Sequence, residues 1–134
     1  MPARGTVLCI EDHPVNMALI EHLLAHFAGV TLIKAASGRE GVQVALAERP
    51  DLILLDMTLP DISGLEVMRL LCEEISRLRL TVVLATADSF SIDVIKAMSL
   101  GAREYWMKPL TIEKLRKDLP RALSRAQADR ARNL

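Results

Sequence analysis

DLILLDMTLPDISG, residues 51–64, decides how the rest of the chain is read. Leu52 to Leu55 form an unbroken apolar run containing a β-branched residue, bounded by Pro50 and Asp51 before it and by Pro60, Asp61 and Gly64 after it. A run that short between turn residues predicts a strand covered on both faces, as in a parallel sheet. Asp56 then stands at the carboxyl end of that strand, where open α/β sheets hold their ligands.

Working outward, the same unit repeats. Upstream, Val7 to Ile10 predict a first strand, followed by Glu11 and Asp12. Pro14 opens a helical pattern with Ile20, Leu23, Leu24 and Phe27 on one face, stopped by Gly29. VTLIKA from Val30 predicts a second strand at a more exposed edge, and Ser37 caps a second helix with Val42, Ala45 and Leu46 inward. Downstream of Gly64, Leu65, Met68, Cys72 and Ile75 mark one face of a third helix. Thr81 to Ala85 give a fourth strand, Ser91 caps a helix through Leu100 closed by Gly101, and residues 103–107 give a fifth strand. Thr111 caps a last helix with Ile112, Leu115 and Leu119 inward. Five strands alternating with five helices at these lengths predict an α/β, doubly wound, five-stranded parallel sheet with helices on both faces. Pro120 breaks the last pattern, and the expectation there is a bend or restart followed by a fraying basic tail.

The 134 residues suit one domain, read as residues 1–119 with 120–134 as the end of the last helix and the tail. Half the chain is hydrophobic with only four Phe, Trp or Tyr residues, so the core is aliphatic. Lys and Arg balance Asp and Glu at 17 each, which gives no general pull toward nucleic acid. The late Arg121, Arg125, Arg130 and Arg132 read as a solvated helix end. With no apolar run near ~20 residues and no secretory signal pattern, the expectation is a cytoplasmic protein with no membrane contact. Cys9 and Cys72 lie in apolar patterns far apart and read as reduced core residues without the spacing of a zinc site. His13, His22 and His26 read as loop or helix-surface residues.

In a parallel sheet, the groups that follow the strands meet on one edge: Glu11 and Asp12, Asp56, Thr86 and Lys108. Carboxylates gathered there need protons or a cation, and an all-oxygen set suits Mg²⁺. Beside it, a hydroxyl and an ammonium supply donors for an arriving anion, a combination fit for phosphoryl transfer onto an aspartate. These residues, with Pro60 and Gly64 after Asp56, Ala87 after Thr86 and Pro109 after Lys108, resemble the receiver domain of bacterial response regulators over residues 6 to 119. The start EDHPVN and the run SGREG are similar to receivers of hybrid histidine kinases.

The resemblance implies a flavodoxin-like fold with strand order 2-1-3-4-5 and a cis bond between Lys108 and Pro109. It implies Asp56 as phosphoacceptor; Glu11, Asp12, Asp56 and the Thr58 backbone carbonyl around Mg²⁺; Thr86 and Lys108 on the phosphoryl oxygens; and Tyr105 with Thr86 as the switch. Its partners would be a histidine kinase or histidine phosphotransfer protein, with the fourth helix, fifth strand and last helix as output face and candidate homodimer surface. It implies a signalling domain rather than an enzyme. Taken alone, Asp12 reads equally as a cap for the first helix; the lesser reading of Thr86 is a strand-end β-branched residue, and Tyr105 also reads as packing. Two other classes stay open. One is an interaction module that works without phosphorylation. The other is an aspartate-nucleophile phosphatase, which needs a second acid where this chain has Thr58.

Overall fold

The structure is a computed structural model that describes residues 2–132 except Ser89. Five parallel strands lie in the order β2-β1-β3-β4-β5: β1 Arg4–Ile10, β2 Gly29–Ala35, β3 Leu52–Asp56, β4 Val82–Thr86 and β5 Glu104–Met107. Between and after them run α1 Pro14–Leu24, α2 Gly38–Glu48, α3 Gly64–Leu78, α4 Ile92–Ser99 and α5 Ile112–Ala131.

Strand alternation divides the apolar side chains into two cores. Leu8, Ile10, Ile53, Leu55, Val82 and Leu84 pack beneath α2, α3 and α4. Val7, Cys9, Leu52, Leu54, Val83 and Ala85 meet α1 and α5 on the other face. β1, β3 and β4 therefore carry apolar residues on both sides, which is what their unbroken runs predict. Each fully buried Leu or Ile contributes about 1.5–3 kcal/mol relative to exposure. β2, at the edge, is only partly covered.

Several local expectations change. α1 ends at Leu24, before Gly29, and Gly29 instead opens β2. Phe27 still packs against the second core from the connecting turn, so its apolarity extends the helical pattern without extending the helix. His13, not Asp12, caps α1: its Nδ1 accepts the Val15 N–H at 3.2 Å. On α2 the inward side is made by Gly38, Gly41 and Ala45, while Leu46 is exposed. A Cβ on Gly41 would lie 2.4 Å from Ile10 Cδ1, so glycine is what lets this helix sit against β1. On α3, Leu71 takes the buried place expected of Cys72, which is only half-buried.

α5 passes through Pro120 as one helix. Proline removes a backbone donor and costs ~3 kcal/mol in a helix interior when nothing compensates. Here Ala122, Leu123 and Ala126 are buried beyond it. Farther along, Gln127 Nε2 donates to the Arg4 carbonyl at 2.8 Å, and Arg130 reaches Asp51 Oδ1 at 3.0 Å and the Arg49 carbonyl at 2.8 Å. The segment expected to fray is fastened to the amino-terminal edge of the sheet. Arg121, expected at a solvated helix end, grips Glu104 on β5 through both terminal nitrogens, at 3.1 and 2.8 Å.

Candidate functional site

The register puts the ends of four strands together. Ile10 pairs with Leu55, Asp56 with Ala85 and Thr86 with Met107. The chain beyond each strand then opens into a cleft of about 380 Å³ whose walls include Glu11, Asp12, Asp56, Thr58, Thr86 and Lys108. Every residue singled out at a strand end thus lines one cavity. Tyr105 does not. It sits on β5 with 41% of its surface exposed, facing away from the buried Trp106.

Asp56 is only 7% exposed and Glu11 only 3%. Lys108 Nζ donates to Asp56 Oδ1 at 2.7 Å and lies 3.4 Å from Glu11 Oε1. Burial pushes the Glu11 carboxyl above its ordinary pKa; the His13 backbone N–H opposes this and the Asp56 charge adds to it. For Lys108, burial works to lower the pKa. The hydrogen bond and charge of Asp56, with the charge of Glu11, outweigh it, and the ammonium is held above its ordinary 10.5. Beneath the cleft, burial and the charges of Glu11 and Asp56 push the Cys9 thiol up to about 12, so it is an inert core group.

One carboxylate oxygen from each of Glu11, Asp12 and Asp56 lies within 4.8 Å of the others. With all three ionised, three negative charges face one ammonium, leaving two in excess. An all-oxygen donor set with that excess fits a hard divalent cation, and Asp12 gives it a solvent-exposed side.

The loop after Asp56 is tightly positioned. The Gly64 N–H bonds the Met57 carbonyl at 3.0 Å, and a Cβ on Gly64 would come 2.7 Å from Met57 Cα and 2.8 Å from the Asp56 carbonyl oxygen. Only glycine allows α3 to start this close. Asp61 ties the same loop to α2, its two carboxylate oxygens each accepting at 2.9 Å, from the backbone N–H groups of Gly38 and Arg39. These bonds, Arg39 first, pull its carboxyl from 3.8 down to about 2. The sign follows: the folded state binds this proton less well than the unfolded chain, so the contribution is complete above pH ~4 and lost as pH falls toward 2. In Asp61→Ala, chemical-denaturation stability is expected to be lower at neutral pH and to fall less between pH 4 and 2 than in the natural protein.

Thr86 lines the cleft, but its hydroxyl is engaged by its own loop. Oγ1 accepts the Asp88 N–H at 3.1 Å and donates to the Asp88 carbonyl at 3.2 Å. The Lys108–Pro109 bond is cis, as the resemblance implies. Beyond the cleft, Phe90 (90% exposed), Ile92, Ile95, Tyr105 and Met107 leave the face of α4 and β5 apolar and uncovered. Among the described residues, no helix is long and apolar enough to cross a membrane.

The sequence and fold were compared with known proteins. The family model for the response regulator receiver domain matches residues 7–120. The nitrate/nitrite response regulator NarL of Escherichia coli is 33% identical over 119 residues, 88% of this chain and 54% of that protein. The chain therefore spans about half the length of that relative. The polar-differentiation response regulator DivK of Brucella anthropi is 33% identical over 107 residues, 80% of this chain and 86% of its own. Among solved structures, the receiver domain of sensor histidine kinase PA1611 from Pseudomonas aeruginosa, described with magnesium in its active-site cleft, superposes with a TM-score of 0.80. It shows 29% identity and covers 91% of this chain and 99% of that one.

Proposed function

Because the chain belongs to the response regulator receiver domain family, we propose that it is a phosphoacceptor of a two-component phosphorelay, in which Mg²⁺-dependent phosphorylation of Asp56 switches a protein-binding face. The observation that carries this reading is the buried Asp56 carboxylate held by Lys108 at 2.7 Å in an open cleft that also presents Glu11, Asp12 and Thr86. The donor is a histidine kinase or a histidine phosphotransfer protein.

An Asp56 oxygen attacks phosphorus and forms the acyl phosphate bond. The bond from phosphorus to the donor nitrogen breaks, and its electron pair leaves with the imidazole. Glu11, Asp12, Asp56 and the Thr58 carbonyl would hold Mg²⁺, which would supply charge compensation for the transferring oxygens. Lys108 keeps its proton across the physiological range and can follow the new phosphoryl oxygens from its present place on Asp56. Thr86 must first leave the Asp88 backbone to reach them. That exchange of partners moves the β4–α4 loop and opens room for Tyr105 to turn inward, changing the exposed face of α4, β5 and α5. A downstream protein, or a second copy of the chain forming a homodimer, reads that face.

The test is an intact-mass time course with acetyl phosphate. The expected result is a gain of one phosphoryl mass with Mg²⁺ and none when the metal is chelated. Failure with Mg²⁺ bound and several donors tried would leave the phosphorylation-independent binding module as the better reading. For the switch, Tyr105→Ala is expected to take up phosphoryl normally but to lose the phosphorylation-dependent amide shifts on α4 and β5 by NMR. Unchanged shifts would remove Tyr105 from the mechanism.

A further inference from the structure

The amino-terminal edge of the sheet, at the pole opposite Asp56, holds a second polar cavity. Its volume is about 300 Å³, and Ser76, Arg79, Thr81 and Arg103 line it together with Ile75 and Gly101. The backbone here is held by regular structure. The Thr81 carbonyl accepts the Ile53 N–H at 2.8 Å, and the Arg103 N–H donates to the Val82 carbonyl at 2.8 Å. Arg79 ends α3 in the left-handed conformation, its own N–H on the Ile75 carbonyl. Gly101 has φ +121°, and a Cβ there would come 3.2 Å from Ile75 Cγ2, so the missing side chain keeps that wall open.

Among the described residues, two buried polar atoms at this place have no hydrogen-bond partner, Thr81 Oγ1 and Arg103 Nη1. A buried donor left unmatched is costly and rare in folded proteins. Arg103 meets Asp129 through Nη2 only. Among the described residues, Arg79 makes no ion pair. Among the described residues, neither arginine reaches a helix-end carbonyl in the way Arg130 reaches that of Arg49. Capping of the neighbouring helix ends therefore does not account for two guanidinium groups at one cavity.

We propose that this cavity binds a phosphate or phosphoryl group. Two guanidinium forks and two hydroxyls offer more donors than the two oxygens of a carboxylate use, and they suit the three or four oxygens of a phosphoryl group. Arg103 keeps 26% of its side chain exposed, but Nη1 itself is buried and Nη2 is held by Asp129, so binding requires the guanidinium to turn within that pair. The acceptor would satisfy both orphaned atoms at once. Since the cavity and the Asp56 cleft lie at opposite ends of the strands, the proposal stands apart from the phosphorelay reading.

An NMR titration of the full chain with inorganic phosphate, Mg²⁺ chelated, tests it. Saturable shifts are expected at the backbone amides of Thr81, Gly101 and Arg103, read separately from any at Asp56 and Lys108. Loss of one charge-assisted contact in Arg79→Gln should weaken the midpoint about tenfold. Arg116→Gln, which removes the same charge from an exposed site on α5, should leave it unchanged. A parallel titration with O-phosphoserine separates the sources: saturation there admits phosphate esters, and saturation with inorganic phosphate alone restricts the site to the free ion. Shifts that grow without saturating with either probe, or equal weakening by both substitutions, would overturn the proposal by reducing it to general charge attraction.

Discussion

Asp56→Asn is expected to abolish phosphoryl uptake from acetyl phosphate while leaving the protein folded. The amide oxygen carries no charge and is a poor nucleophile at phosphorus, so the acyl phosphate does not form. The fold has no comparable need for the charge. Three carboxylates crowd within 4.8 Å, and removing one relieves repulsion while Lys108 keeps Glu11 at 3.4 Å. The melting temperature should accordingly stay level or rise, even as the mass gain disappears. Mass spectrometry and a thermal scan on the same preparation check both halves. A mass gain that persists in the variant would put the acceptor elsewhere and leave Asp56 a structural anion.

Lys108→Ala is expected to slow phosphoryl uptake by a factor of about 10²–10³, the usual effect of deleting one preorganised charge donor from a transfer site. The ammonium is already 2.7 Å from the Asp56 carboxylate. Because its pKa lies above 10.5, it stays charged through pH 6 to 9, and its contribution is lost only as pH rises beyond its folded value. The uptake rate of the natural protein should therefore show no step from this group across that interval. Rates from intact-mass time courses at matched Mg²⁺ decide the point. A variant as fast as the natural protein would reduce Lys108 to a counter-ion for Glu11 and Asp56.

The strand ends were legible because a parallel sheet sends all its carboxyl ends to one edge, so order along the chain already predicts proximity in space. Glu11, Asp12, Asp56, Thr86 and Lys108 needed no more than that. Side-chain bonds to distant backbone left no such signal. Asp61 reads as a turn residue in its own loop, and only the fold reveals Gly38 and Arg39 above it. The same holds for Thr86, whose present partner is the backbone two residues on, and for α5, where the buried Leu123 and the Arg130 contacts outweigh the local argument from Pro120. Leu46 and Cys72 were misplaced for a different reason. Periodicity gives the apolar arc of a helix but not its rotation against the sheet, and at α2 that rotation is fixed by Gly41 fitting over Ile10 and Gly38 against Ile62 and Val67.

The fastening of α5 to β1 also bears on how the molecule would respond to mechanical load. Gln127 holds the Arg4 carbonyl, so the first strand and the last helical turns meet at one pole, away from the cleft. Tension applied between these two ends falls first on a few side-chain bonds along α5, not on the strand pairs beside Asp56. The last turn of α5 would peel away before the sheet yields, and the cleft would keep its shape under forces that have already undone the clasp.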